Sequence, residues 1–441
     1  MTRDDAQISV TPQWSDESKD VHIGTFTLEG DGDYMITADY TDKSGNEMEQ
    51  YASQQITIDT EDPVISVSDI VAGSASKEEK YGFTITAEDQ NLDGGTFETS
   101  LTAVEQNENG SFETKEIPLG TARAVEAGRI YTYTVENLPD DAIYTLSCSV
   151  TDMAGHTTQK FSLADGSEYE NVQFSINRHG SNFLLDADTE ELTAQYYVYS
   201  VEKDVIIREI NVDVVEDYTV RLNDEVLGEN RDYKTELSGD DGQWSERDYI
   251  IDKQLFQEEG EYYLTVESKD KTETVAYSDV KNAGVAFVVD QSAPIVTITG
   301  LKQQGRYQTD EKTVSVMPTD EGGKLNSFAA IVLDSDGNPI KNVAGEDISR
   351  RVELTGEDLL TQLADNDGKI TFTVPEGLDM QVQIICTDCA MQPDGSTNEY
   401  NELFQEITVS PSQWIMFYAN NRKGYVCNPS VLMESFWLKH P

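Results

Sequence analysis

One stretch of alternating apolar and polar residues recurs four times along the 441-residue chain, and it constrains the fold more than any other feature. In the clearest copy the apolar positions are Tyr144, Leu146, Cys148 and Val150. A period of two indicates a half-buried β-strand. The four copies end at aspartates: Asp42, Asp152, Asp270 and Asp388. These aspartates are 110, 118 and 118 residues apart, a spacing typical of whole domains, so the sequence predicts a tandem array.

The repeats and their junctions predict five segments. We expect a partial immunoglobulin-like domain at 1–62, complete domains at 63–177, 178–292 and 293–409, and an irregular C-terminal tail at 410–441. Pro63 and Pro294 mark two of the junctions, because proline disfavours helix in the residue before it. Helical periodicity is nearly absent, and residues 356–364 are the best short candidate.

The tail differs from the repeats in composition. It begins with an apolar and aromatic run around Trp414 and Tyr418, and the residues after Asn420 resemble neither a repeat nor an anchor. We hypothesise a truncation or a frame shift in the gene after Asn420, with an amphipathic terminus as the alternative. The N-terminus lacks the apolar stretch of a signal peptide, and the first repeat is short, so we expect a piece of a longer protein.

Composition excludes several classes of protein. The net charge of −52 and the pI near 4.1 argue against nucleic-acid and anionic-lipid partners, because phosphate binding needs clusters of lysine and arginine. Hydrophobic residues make up 37% of the chain, which is enough for ordinary cores. Four cysteines are too few for a disulfide scaffold. No run of 18 apolar residues is present, so we expect no membrane span. We also expect the chain to be a monomer.

Three of the repeated strands begin with a tyrosine: Tyr34, Tyr144 and Tyr262. This arrangement resembles the tyrosine corner of immunoglobulin-like sandwiches, in which a tyrosine stands two residues before a cysteine of strand F. Here Ile36, Leu146 and Leu264 take the cysteine position. We therefore predict an all-β chain of tandem immunoglobulin-like antiparallel β-sandwiches arranged as an elongated rod, held by packing without the disulfide.

The junctions and turns are similar to those of the bacterial Ig-like (Big-type) repeats of Gram-positive cell-surface proteins. The resemblance rests on the Asp-x-x-Gly-Asn turn at 42–46, its counterpart at 152–156, and the Asp-x-x-x-Pro junctions. It implies a sandwich fold and a surface stalk or adhesin segment, extracellular or at the cell surface. The partner it implies is a host or cell-surface protein or a glycan.

Acidic residues at the junctions raise the alternative of a calcium-rigidified adhesin, since calcium takes six to eight oxygen ligands. The candidate ligands are Asp59, Glu61, Asp62, Asp89, Asp93 and Asp290. The competing interpretation is a solvated acidic surface, with no cofactor.

A second alternative is a carbohydrate-binding accessory region of a secreted enzyme. Trp244 lies in a polar loop and is the candidate for stacking on a sugar, although tryptophan is also common in sandwich cores. We expect no enzymatic activity, because the four histidines lie in turns or the tail without a nucleophile motif. Cys148, Cys386 and Cys389 are expected to be structural.

Overall fold

Antiparallel β-strands make up nearly all of the regular structure, as the alternating patterns predict. The computed structural model describes residues 1–18, 21–107, 111–138, 140–238, 244–279, 283–377, 379–396, 402–411, 418–419 and 422–423. The prediction of an all-β fold is confirmed.

Residues 1–62 form one small sheet and two hairpins. The strands are β1 (Thr2–Arg3), β2 (Ala6–Gln7), β3 (Gln13–Ser18), β4 (Val21–Thr25), β5 (Gly32–Met35), β6 (Thr37–Ala38), β7 (Tyr51–Ala52) and β8 (Ile56–Ile58). The sheet has the order β2-β1-β5-β8, while β3 pairs with β4 and β6 pairs with β7. Among the described residues of this segment, Tyr34 is the one buried hydrophobic side chain.

Residues 63–177 form a sandwich of two sheets. The strands are β9 (Val64–Ser68), β10 (Ala75–Ser76), β11 (Phe83–Glu88), β12 (Glu98–Gln106), β13 (Phe112–Glu116), β14 (Arg123–Glu126), β15 (Ile130–Val135), β16 (Ala142–Thr151), β17 (Thr157–Thr158), β18 (Phe161–Leu163), β19 (Glu168–Tyr169) and β20 (Asn171–Ile176). One sheet has the order β10-β20-β16-β12-β13 and the other β14-β15-β11-β9-β18-β19. Buried side chains from both sheets form one core.

Residues 178–292 form a second sandwich with its own core. Its elements are β21 (Asn182–Leu185), α1 (Ala187–Gln195), β22 (Tyr197–Val198), β23 (Val205–Asn211), β24 (Val215–Leu222), β25 (Glu225–Val226), β26 (Tyr233–Ser238), β27 (Ser245–Ile251), a 3-10 turn (Lys253–Phe256), β28 (Gly260–Asp270), β29 (Val275–Ser278) and β30 (Val285–Val289). The two sheets have the orders β21-β23-β27-β26 and β22-β30-β28-β24-β25.

The described residues between 293 and 411 form a third sandwich and core. Its elements are β31 (Ile295–Thr299), β32 (Gly305–Tyr307), β33 (Glu311–Thr319), β34 (Leu325–Leu333), β35 (Arg351–Thr355), α2 (Gly356–Asp365), β36 (Ile370–Pro375), β37 (Met380–Asp388) and β38 (Glu402–Pro411). The sheets have the orders β31-β33-β36 and β32-β38-β37-β34-β35. Two short strands follow, β39 (Tyr418–Ala419) and β40 (Arg422–Lys423).

One of the two sheets has the same topology in all three sandwiches. In each, the repeated strand (β16, β28 or β37) lies third in its sheet, and the last strand of the segment (β20, β30 or β38) lies second. A short edge strand pairs parallel to that last strand in all three. The sequence repeat therefore corresponds to a repeated three-dimensional unit.

The tyrosines make the hydrogen bond that the tyrosine-corner resemblance implies. Tyr144 Oη donates to the Asp140 carbonyl at 3.0 Å, and Tyr262 Oη donates to the Glu258 carbonyl at 2.8 Å. Tyr34 Oη donates to the Gly30 carbonyl at 2.8 Å. Each acceptor lies four residues before its tyrosine. The contact fixes the chain at the corner where it enters the repeated strand.

Of the two α-helices among the described residues, the sequence predicted one. The predicted helix at 356–364 is confirmed as α2, but α1 was missed. Asp186 caps α1, because its Oδ1 accepts a hydrogen bond from Thr189 N at 3.0 Å. Only Thr189 and Leu192 of this helix are buried. Two buried positions are too few to produce a helical period in the sequence. The capping residue Asp186 was the sequence signal that could have indicated this helix.

Most of the predicted tail, residues 410–441, lies outside the described residues, and with it the apolar run around Trp414. The expectations for the end of the chain therefore stay predictions. No helix among the described residues is both long enough and apolar enough to cross a membrane.

Replacing Tyr262 with phenylalanine removes the corner hydrogen bond while keeping the ring packed. We expect Tyr262→Phe to lower the free energy of unfolding by about 1 kcal/mol, the usual net value of such a bond. Urea denaturation followed by circular dichroism measures the loss. Tyr263→Phe is the matched control, since the Tyr263 hydroxyl makes no hydrogen bond to the described residues. An equal loss in the control would contradict the assignment.

Candidate functional site at the junctions between segments

The polar residues that the repeat brings together lie at three junctions, which we number from the N-terminus. Each junction combines the end of one segment with two loops of the next. One loop follows strand β11, β23 or β33, and the other follows the repeated strand. The acidic or amide positions are Asp59, Asp89 and Asp152 at junction I, Asn177, Asp213 and Asp270 at junction II, and Asp290, Asp320 and Asp388 at junction III.

Junction III brings three carboxylates together. Asp290, Asp320 and Asp388 each offer one oxygen, and these oxygens lie within 4.8 Å of one another. Asp290 and Asp388 are buried. Asp320 is partly exposed, but its Oδ2 is buried and accepts no hydrogen bond from the described residues. A Cβ at Gly323 would lie 2.0 Å from Asp290 Oδ2 and 2.3 Å from Asp320 Oδ2, so a residue with a side chain does not fit beside these oxygens.

The cluster at junction III is electrostatically unfavourable when all three groups are ionised. Burial, together with the negative charges of Asp290 and Asp388, raises the pKa of Asp320 to about 7. Burial also raises the pKa of Asp290. Like charges in one buried place favour either proton uptake or a bound cation. A hard cation such as calcium binds carboxylate oxygens, so the cluster suits it chemically.

Junction I carries a histidine beside its carboxylates. Asp59, Asp152 and His156 offer ligand atoms within 4.8 Å of one another. His156 Nδ1 lies 2.7 Å from Asp152 Oδ2, and Asn91 Nδ2 donates to Asp59 Oδ2 at 3.0 Å. Imidazole suits transition metals better than calcium. The side chains of this junction therefore include donors that pair with its carboxylates.

The pair at junction I shifts both pKa values. The hydrogen bond that His156 donates to Asp152 raises the pKa of His156 above its ordinary value, and the negative charges of Asp152, Asp62 and Asp59 act in the same direction. Burial acts to raise the pKa of Asp152, but hydrogen bonds from His156 and Gly155 outweigh it, and the net pKa is lowered.

At junction II, side-chain amide groups donate hydrogen bonds to the neighbouring oxygens. Asn177 Nδ2 donates to Asn211 Oδ1 at 2.8 Å, to Asp270 Oδ2 at 3.0 Å and to Asp213 Oδ2 at 3.3 Å. Asn177, Asn211 and Asp270 are all buried. Ser175 Oγ also donates to Asp213 Oδ1 at 2.7 Å. An N–H donor thus lies among the oxygens of this junction.

Two of the predicted metal ligands, Asp59 and Asp290, lie in these clusters. Asp89 lies nearby, and its pKa is raised by burial and by the charges of Asp59 and Asp152. Asp93 Oδ1 instead accepts a hydrogen bond from Gly95 N in its own turn. Glu61 and Asp62 are exposed.

Sequence reasoning missed four members of the clusters: Asp152, His156, Asp320 and Asp388. Asp152 and Asp388 were already visible as the aspartates that end the repeated strands. Their equivalence across repeats was the signal that could have placed them at the junctions.

Trp244, the candidate for stacking on a sugar, is buried. It is 8% exposed and packs with Ile210 and Val212 against Val104 and Phe112 of the preceding sandwich. Its Nε1 donates to the Val104 carbonyl at 2.8 Å. The ring fills a contact between sandwiches, so its faces are not available to stack on a sugar.

The cysteines occupy the structural positions that we expected. Cys148 and Cys386 are buried, and Cys389 is partly buried just after β37. Burial raises the pKa of both Cys148 and Cys386 to about 12. All three are free thiols, and a thiol with so high a pKa is a poor nucleophile and a poor metal ligand at neutral pH.

The His156–Asp152 pair predicts a titration. Because the folded pKa of His156 is raised above its unfolded value near 6.5, the pair stabilises the fold below about pH 6.5, and this stability is lost as pH rises through the folded pKa. Proton NMR of the His156 ring should show the raised pKa. In Asp152→Asn, which keeps the Oδ1 acceptor of the turn, the pKa should fall towards 6.5. An unchanged titration would contradict the pairing.

Comparisons with known proteins give no family. No protein-family model and no curated protein matches the chain. Two similar solved structures are a part of a 1.5-MDa bacterial ice-binding adhesin (12% identity, 80% of this chain and 99% of that chain, TM-score 0.21) and the N-terminal eight Ig domains of the Down syndrome cell adhesion molecule (10% identity, 92% and 48%, TM-score 0.18). These low TM-scores carry no argument about function, and the fold rests on the sheets and cores described above.

Proposed function

We propose that the chain is a non-enzymatic, extracellular adhesin segment in which calcium fixes the third junction between sandwiches. The observation that carries the calcium site is the convergence of Asp290, Asp320 and Asp388, whose ligand oxygens lie within 4.8 Å of one another. Two further facts support it. The Oδ2 atom of Asp320 is buried without a hydrogen-bond donor among the described residues, and burial with two neighbouring charges raises its pKa.

The position of the cluster explains what a bound ion would do. Asp290 follows the last strand of one sandwich, whereas Asp320 and Asp388 belong to the next. An ion held by all three would join the two sandwiches directly. Neighbouring contacts already align them, since Tyr199 N donates to the Met391 carbonyl at 3.0 Å and Gln195 Nε2 donates to the Pro393 carbonyl at 2.9 Å. Bound calcium would add ionic contacts between the sandwiches to these two hydrogen bonds between neutral groups.

The surface role follows from the whole chain. Tandem sandwiches with separate cores and short junctions suit a spacer that presents a binding element at a distance. A net charge of −52 favours solubility and attracts cations. The burial of Trp244 removes the residue on which the carbohydrate-binding alternative depended.

Calcium should bind the wild-type chain and stabilise it. Extracellular modules bind calcium with dissociation constants of about 10⁻⁴–10⁻³ M. At a tenfold excess over such a constant, binding contributes about 1.4 kcal/mol and raises the Tm of the third sandwich by about 5 °C. Titration calorimetry measures the binding, differential scanning calorimetry the shift, and small-angle scattering with calcium or chelator the change in shape.

Asp320→Asn separates a metal site from a merely structural carboxylate. Without calcium this variant should melt at a higher temperature than the wild type, because it relieves repulsion among the three carboxylates. With calcium it should gain less. Asp336→Asn, in an exposed turn of the same sandwich, removes the same charge and should change neither value. Equal calcium responses in the wild type and Asp320→Asn would refute the site.

A further inference from the structure

The contact between the sandwiches of 63–177 and 178–292 has an apolar part. Trp244, Ile210 and Val212 of the second sandwich pack on Val104 and Phe112 of the first, and they form a cluster separate from both sandwich cores. The Trp244 and Phe112 ring centroids are 5.6 Å apart. A buried tryptophan with its N–H satisfied is the most strongly stabilising residue type at such contacts.

The same contact has a buried polar part at junction II. The Asn177 side chain, at the end of the first sandwich, donates to oxygens of three residues of the second. In addition, Lys77 Nζ of the first sandwich donates to the Thr272 carbonyl of the second at 2.6 Å. Fully hydrogen-bonded buried networks of this kind define one arrangement of the groups they join.

Hydrogen bonds also fix the linker between the two sandwiches. Arg178 Nε donates to the Glu78 carbonyl at 2.8 Å, and its Nη2 donates to the Leu138 carbonyl at 2.7 Å. Arg178 N and His179 N both donate to Asp141 Oδ2, at 2.9 and 3.0 Å. The backbone at 178–179 is therefore tied to the first sandwich.

We propose that residues 63–292 act as one rigid two-sandwich unit with a permanent, metal-independent joint, in which the Asn177 amide takes the place that a cation takes at junction III. The two junctions have the same plan: a residue after the last strand faces two acidic loops of the next sandwich. At junction III that residue is Asp290, a third acceptor, and a cation is needed. At junction II it is Asn177, a donor, and no cation is needed. This comparison with junction III rests on the proposed function, but the rigid joint does not.

Trypsin cleavage after Arg178 measures how often the contact between the two sandwiches opens. The protease cuts only those molecules in which the linker around Arg178 is released. In the full-length wild type we expect this bond to resist cleavage equally with calcium and with chelator. Trp244→Ala should speed cleavage at least tenfold, detected by mass spectrometry as a fragment that begins at His179. Trp14→Ala, which removes a 69% exposed tryptophan, should leave the rate unchanged.

Separate measurements show that the variant remains folded. Trp244 lies in neither sandwich core, so calorimetry of Trp244→Ala should still show cooperative melting of both sandwiches, now uncoupled from each other. Trp244→Phe, which keeps an aromatic ring but loses the N–H, should give an intermediate cleavage rate. Rapid cleavage of the wild type, or equal rates in the wild type and Trp244→Ala, would overturn the rigid joint.

Asn177→Asp tests the exchange of amide for cation. This substitution replaces the donor with a third carboxylate beside Asp213 and Asp270. We expect cleavage after Arg178 to become faster in chelator and to slow again when calcium is added, whereas the wild-type rate is insensitive to both. Fast cleavage that calcium does not slow would overturn the exchange and leave the Trp244 result standing. Failure of the wild type to bind calcium would refute the proposed function and the comparison with junction III, but not the rigid joint.

Discussion

The carboxylate at the end of each repeated strand is the group on which both the turns and the junctions depend. One oxygen builds the turn: Asp152 Oδ1 accepts hydrogen bonds from Gly155 N at 2.6 Å and His156 N at 2.8 Å, and Asp270 Oδ1 accepts them from Thr272 N and Thr274 N. The other oxygen faces the junction, where Asp152 Oδ2 meets His156 and Asp270 Oδ2 meets Asn177. A single side chain thus closes the strand locally, and at Asp270 the same side chain also contacts the neighbouring segment.

A buried carboxylate is unfavourable unless a donor or a positive charge compensates it. The chain places a compensating side-chain donor at two of the three equivalent places. Junction I has a histidine whose pKa is raised by its aspartate, and junction II has a neutral amide that donates to several oxygens at once. Junction III gathers three aspartates. The arrangement is therefore common to all three junctions, whereas the groups that face the buried carboxylate differ from one junction to the next by one or two residues.

Much of the fold was predictable because its signals are local. Alternation through Tyr144 and Val150 is visible in ten residues of sequence, and the structure buries these side chains in the predicted register. The corner tyrosines use acceptors only four residues away. The helix α1 was not predicted, because the burial of its residues depends on contacts with strands distant in sequence and not on a helical pattern of apolar residues.

The sites were less predictable because they depend on long-range contacts. Trp244 lies in a polar stretch of sequence, yet its partner Val104 is 140 residues away, and no local pattern indicates that pairing. Asp290 and Asp388 are likewise distant in sequence and come together only because the next sandwich directs the end of β37 towards the junction. The repeat itself carried the missing information: aspartates at the same position in each unit must occupy the same place at each junction. Asp59, Asn177 and Asp290 occupy equivalent positions, and of these three only Asn177, at junction II, provides a donor in place of an acceptor. The differences among the three junctions are therefore visible in the sequence once the repeats are aligned.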